Sequence, residues 1–312
     1  MKKVILVETV IIILLAAKLV WKEPAKVIPR PLDQYTFGNL RQKTFLPTEI
    51  VYEKKTAQDP KFSTWIFHYI SDGKKISGLA NLPTGVSTQS AVTVPTILML
   101  HGSTDSVAEY FPGFGTQPVA SVLAKNGYAT FAPDFLGYAT SDKASDDPFE
   151  DRFQTYTTTL TLLATLRQNS PKVGIWGHSN GGQIALSDLE ISGANIPTAL
   201  WNPVSEGFPY NILYFTNGYS DKGKWLRAAL AKFEALYDVE NYSTPNFLAW
   251  INAPVLLQQA TADEWVPVKW NEDFSKKLTN VTYKEYPGAN HNMVPQWNQA
   301  TADTLKFFQS NF

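Results

Sequence analysis

The chain has no cysteine in 312 residues. This excludes disulfide staples, thiolate nucleophiles and cysteine-ligated zinc or iron–sulfur centres, and leaves the redox compartment open. Histidine is scarce, with only His68, His101, His178 and His291. No H-E-x-x-H metal pattern occurs, and Gly113-Phe114-Gly115 does not continue into a dinucleotide fingerprint or a phosphate-binding loop. Neither a metal nor an organic cofactor is therefore expected. Charged residues make up 18% of the chain and the net charge is -1, so nothing suggests a nucleic-acid partner. Apolar residues at 44% and aromatic residues at 13% instead supply a large buried core, and the length suits one α/β domain.

One long apolar run stands apart from that domain. Val4 to Val20 follows Lys2 and Lys3 and is interrupted only by Glu8, Thr9 and Lys18. As a helix it would span about 26 Å, at the short limit for a bilayer. Residues 1–22 are expected to be a membrane anchor or a signal segment. The domain that follows would then be membrane-anchored and extracytoplasmic, or secreted if the segment is cleaved. Residues 23–47, with Pro24, Pro29, Pro31 and Pro47, read as an extended tether. The domain is expected over 48–312.

Within it, Val173 to Trp176 is a short apolar run followed by Gly177-His178-Ser179-Asn180-Gly181 and then a helical pattern from Gln183. Strand, G-x-S-x-G and helix form the pattern in which a serine hydroxyl projects from a strained turn above the sheet edge. The following helix N-terminus would aim free N–H groups at charge developing on an acyl substrate.

The rest of the chain supports a mostly parallel, doubly wound sheet. Ile50 to Lys54, Trp65 to Ser71 and Lys75 to Leu82 read as antiparallel lead-in strands, with a turn at Asp72-Gly73. Pro95 to Leu100 is an apolar strand ending in His101-Gly102-Ser103, where the backbone N–H of Ser103 can pair with that of Asn180 as an oxyanion hole. Asp134 follows another strand and reads as a loop-fixing residue. Residues 202–250 are rich in aromatics and read as a small cap, with His101, Phe208, Tyr210, Tyr214 and Trp265 as candidate pocket residues. Asp263 follows the strand Ala253 to Gln259, and His291 follows Val281 to Tyr286.

A serine hydroxyl needs a base, and an imidazole base needs a carboxylate to set its tautomer. Ser179, Asp263 and His291 occur in the required chain order, each past a strand's carboxyl end. Glu264 competes with Asp263 for the acid role, and Asp263 is favoured as the shorter side chain directly after the strand-to-turn transition.

Gly-His-Ser-Asn-Gly-Gly, Asp263-x-x-Val266-Pro267 and Gly288-Ala289-Asn290-His291 resemble the α/β-hydrolase superfamily. The lead-in Ser71 to Gly78 and the strand Ala253 to Leu257 are similar to prolyl oligopeptidase-type catalytic domains and dienelactone-hydrolase-like esterases. The resemblance implies an α/β-hydrolase fold and a serine hydrolase. It departs from dienelactone hydrolases in having no cysteine nucleophile, and the 47 residues before the domain are too few for the propeller of prolyl oligopeptidases. Carboxylic ester hydrolysis is therefore favoured, with a peptidase or amidase acting on short peptides as the alternative. A catalytically silent, membrane-tethered binding protein is the alternative of another class.

Overall fold

The computed structural model describes residues 28–104 and 110–312. Strands β1 (Val51–Asp59), β2 (Phe62–Ser71) and β3 (Lys74–Pro83) form an antiparallel lead-in. The first two are longer than the sequence pattern predicts. β1 is an almost wholly exposed edge strand with two register shifts against β2, so backbone pairing extends it where no apolar alternation marks it.

β3 pairs antiparallel with β5 (Ala129–Pro133), and the remaining pairings are parallel. They join β4 (Thr96–Leu100), β6 (Val173–His178), β7 (Thr198–Trp201), β8 (Val255–Ala260) and β9 (Val281–Tyr286) in the order β1-β2-β3-β5-β4-β6-β7-β8-β9. Every residue of β4, β6, β7 and β8 is buried, as the continuous apolar runs require of strands covered on both faces.

Alternate residues of these strands feed two separate cores. Leu98, Leu100, Ile175 and Leu257 join one with Phe153 of α3 (Pro148–Asn169) and Ile184 of α4 (Asn180–Ser192). Ile97, Met99, Trp176 and Leu256 join the other with Leu123 of α2 (Gln117–Lys125) and Phe308 of α8 (Trp297–Asn311). Helices α5 (Tyr210–Thr216) and α6 (Lys224–Glu234) lie in the excursion between β7 and β8, and α7 (Val268–Ser275) follows β8.

The stretch predicted as an extended tether differs in its second half. One compact unit begins at Leu32, and α1 (Phe37–Gln42) follows directly. Leu32, Tyr35, Phe37 and Leu40 are buried, and the Tyr242 hydroxyl donates to the Leu32 carbonyl at 3.1 Å. Burial of four apolar side chains overrides the proline-rich local pattern. The predicted anchor over residues 1–22 lies outside the described residues. Among the described residues no helix is long and apolar enough to cross a membrane.

Helix α4 buries two carboxylates, Asp188 and Glu190, both fully inaccessible. Asp188 accepts from the Thr159 hydroxyl at 2.9 Å, whereas neither oxygen of Glu190 has a hydrogen-bond partner among the described residues. Burial raises both groups well above the ordinary carboxylate range. A raised folded-state value makes their contribution to stability complete below the unfolded value of about 4 and progressively lost as pH rises. Asp188→Asn with Glu190→Gln should therefore gain roughly 1–3 kcal/mol over the parent at mildly alkaline pH, with the gap closing toward pH 4. Urea unfolding at a series of pH values checks this, and a pH-independent difference would refute it.

Candidate active site

The parallel strands all end at one edge, and each end delivers a functional group. Ser179 follows β6 with φ 55° and ψ -121°, a region costly for any residue with a Cβ. The flanking glycines are a steric requirement of that turn. A Cβ at Gly177 would lie 2.6 Å from the Gly181 carbonyl oxygen, and one at Gly181 would lie 2.1 Å from that of Leu100. Asn180 opens α4, so its N–H has no intrahelical acceptor and remains available beside the serine.

Asp263 and His291, past β8 and β9, meet directly. His291 Nδ1 lies 2.8 Å and 3.0 Å from the two Asp263 carboxylate oxygens. The Asp263 side chain is wholly inaccessible and that of His291 is 10% exposed, so their hydrogen bond is screened little by water. Because a carboxylate only accepts, Nδ1 carries the proton and Nε2 presents a lone pair. The N–H groups of Trp265 and Val266 donate to the same Asp263 oxygen at 2.8 Å and 2.9 Å and hold it in place. Glu264, the competing acid, instead accepts from the backbone N–H of His291 at 3.1 Å.

The opposite side of the His291 peptide is clamped by two residues whose part in the site the sequence did not reveal. Asn202, past β7, is fully buried with φ 44°. Its side-chain amide donates to the His291 carbonyl at 2.7 Å while its oxygen accepts from Ala260 N–H at 2.7 Å, tying the ends of β7, β8 and β9 together. His178 Nε2 also donates to the His291 carbonyl, at 2.9 Å. Burial, reinforced by the neighbouring His291 ring, pushes His178 down to about 4, which keeps it neutral and in that tautomer.

The His101-Gly102-Ser103 turn past β4 is similarly braced. His101 Nδ1 faces the Gly102 carbonyl at 2.7 Å and must therefore carry the proton. In a trans peptide the next N–H points opposite to that carbonyl, so fixing Gly102 C=O also fixes the direction of Ser103 N–H. The Tyr110 hydroxyl lies 3.3 Å from His101 Nε2 and 2.8 Å from Asp134, which also accepts from Ser77 at 2.7 Å. Burial lowers His101 to about 4 and so keeps its imidazole neutral, whereas burial raises Asp134 and its hydrogen-bond donors oppose that rise. Asp134, read from the sequence as fixing its own loop, instead ties β3 to the segment 110–113 through Ser77, Tyr110 and Gly113 N–H.

A cavity of about 200 Å³ opens beside this edge and is lined by Ser103, Asn180, His101, Gly102, Phe135, Leu136, Tyr138, Asp151, Arg152, Thr155, Tyr156, Gln183 and Ile184. Of the five predicted pocket residues only His101 lines it. Phe208 is 2% exposed and packs against Phe149, Phe153 and Phe233, where the cap meets α3. Its aromatic surface is used by the core, which corrects the pocket assignment. Tyr210, Tyr214 and Trp265 are 62%, 50% and 56% exposed and lie outside this cavity. Asp151, Arg152 and Gln183 were missed because a polar residue on a helix carries no local mark of what it faces.

Residues 95–189 match a family model described as alpha/beta hydrolase fold. No curated protein sequence gives a significant match. Among solved structures the chain is similar to acetyl xylan esterase 1 from Thermoanaerobacterium sp., with TM-score 0.64 and 14% identity over 90% of this chain and 94% of that one. It is also similar to ferulic acid-bound Est1E from Butyrivibrio proteoclasticus, with TM-score 0.58 and 20% identity over 78% and 98% of the two chains. A third likeness, to a Bacteroides ovatus protein provisionally described as a dipeptidyl aminopeptidase IV, has TM-score 0.60 and 16% identity over 82% of this chain and 38% of that one. These likenesses and the sheet order show an α/β-hydrolase fold.

Proposed function

We propose that this α/β-hydrolase-fold chain is a serine hydrolase that cleaves carboxylic esters, with Ser179 as nucleophile, His291 as general base and Asp263 as its orienting carboxylate. The observation that carries the proposal is the buried Asp263–His291 pair at the strand edge that presents Ser179 on its strained turn. Ser179 Oγ attacks the ester carbonyl as His291 Nε2 takes its proton, and the backbone N–H groups of Asn180 and Ser103 receive the oxyanion. His291 then protonates the departing alcohol, and a water activated by the same imidazole releases the acid from the acyl-enzyme. The acetyl xylan esterase among the similar structures favours esters over peptides.

The apolar run Val4 to Val20 extends the proposal to location: it would tether the chain to a membrane with the catalytic domain extracytoplasmic. One experiment tests both points. Full-length protein in membrane vesicles is treated with a fluorophosphonate and then assayed on matched esters and peptide amides. Labelling at Ser179, ester turnover above amide turnover, and release of the labelled protein from the pellet on deletion of residues 1–27 are expected. Unlabelled folded protein would favour a silent binding role, and dominant amide turnover would favour the peptidase.

A further inference from the structure

The cavity beside Ser103 and Asn180 is lined by two groups of opposite charge, Asp151 and Arg152, neither of which has a salt-bridge partner among the described residues. Arg152 donates from Nη2 to Gln183 at 3.0 Å and its guanidinium carbon lies 5.9 Å from the Phe208 ring centroid, while its Nε–H is sealed off from solvent without an acceptor among the described residues, which leaves its other guanidinium N–H groups to serve an occupant. Burial raises Asp151 to about 6, partly offset by the more distant charge of Lys74. A partly dehydrated carboxylate and guanidinium, one residue apart on α3, therefore share the cavity without neutralising each other directly.

The occupant must satisfy both. An alkyl group would displace water from the two charges and return no hydrogen bond, the costly case for buried polar groups. An anionic group would gain Arg152 and be repelled by Asp151, and a cationic group would meet the reverse. A hydroxyl both donates and accepts, so a neutral diol can donate to Asp151 and accept from Arg152 at once. Phe135 and Ile184 supply apolar wall for the carbon skeleton, and the cavity of about 200 Å³ accommodates a small group.

We propose that this cavity is a subsite for a compact, neutral, hydroxyl-bearing portion of the ester, held between Asp151 and Arg152. The proposal rests on the serine ester hydrolase reading, and it assigns the substrate class of that site. Two matched pairs probe the two sides of the ester bond: glyceryl monoacetate against propyl acetate, and ethyl 2,3-dihydroxypropanoate against ethyl propanoate.

Binding of each member to the Ser179→Ala protein, measured by titration calorimetry, reads recognition without turnover. In at least one pair the hydroxylated ester should bind tenfold or more tightly, about 1.4 kcal/mol. The advantage should fall to within about twofold when Asp151→Leu or Arg152→Met is added, with circular dichroism confirming that each variant is folded. Equal binding within both pairs would overturn the proposal. So would tighter binding of monoethyl succinate or glycine ethyl ester, the anionic and cationic probes. Fluorophosphonate labelling of the parent protein is run in parallel. Loss of labelling with retained diol preference would sink the hydrolase reading alone, whereas labelling without diol preference would sink the subsite alone.

Discussion

Ser179→Ala is expected to reduce ester turnover by roughly 10³- to 10⁶-fold while leaving the fold intact. The residual rate would come from the Asn180 and Ser103 N–H groups and from substrate positioning, neither of which the substitution touches. The fold should survive because alanine tolerates the positive φ no worse than serine does, and the turn is set by backbone bonds. Ser179 N–H donates to the Trp201 carbonyl at 3.0 Å, and the Ser179 carbonyl accepts from Val204 N–H at 3.0 Å. Purified variant and parent would be compared by kcat/KM on one short-chain ester and by thermal unfolding. Activity within tenfold of the parent would remove Ser179 from the nucleophile role.

Asp263→Asn should produce the second large loss, roughly 10³- to 10⁴-fold in kcat. The amide can donate to His291 Nδ1 where the carboxylate only accepts, which favours the tautomer with its proton on Nε2 and removes the lone pair that the serine proton needs. Glu264→Gln serves as the control, because its amide oxygen can still accept from His291 N–H and preserve the loop. It should cost less than about tenfold. The comparison separates the two candidate acids by what each touches: Asp263 meets the imidazole, whereas Glu264 meets the backbone. Collapse of Glu264→Gln together with near-normal Asp263→Asn would reverse the assignment.

Candidate catalytic residues were legible in the sequence because each follows a strand whose apolar run is itself a local signal. Ser179 is marked by glycines that the turn geometry demands, and His291 stands out in a chain with four histidines. The residues that hold them in place were not legible. Asn202 follows a four-residue strand and resembles an ordinary turn asparagine until β8 and β9 close around it. His178 sits inside the elbow motif with no local sign of its part, because its role as a donor to the His291 carbonyl depends on a contact 113 residues distant in sequence. Phe208 misled for a related reason: an aromatic ring in a cap has the same local pattern whether it lines a pocket or joins Phe149, Phe153 and Phe233.

By itself the sequence determined the alternation of strands and helices, the elbow at Ser179 and the chain order of the three candidate catalytic groups. Those features rest on hydrophobic periodicity and on steric limits within a few residues. Only the tertiary structure decided that Asp263 rather than Glu264 meets the imidazole, that Leu32 to Leu40 belongs to the core, and that Asp151 and Arg152 face the cavity. Each of those outcomes depends on which surfaces meet when distant strands pair, and the pairing of β7, β8 and β9 is a property of the whole sheet that no short stretch of sequence encodes.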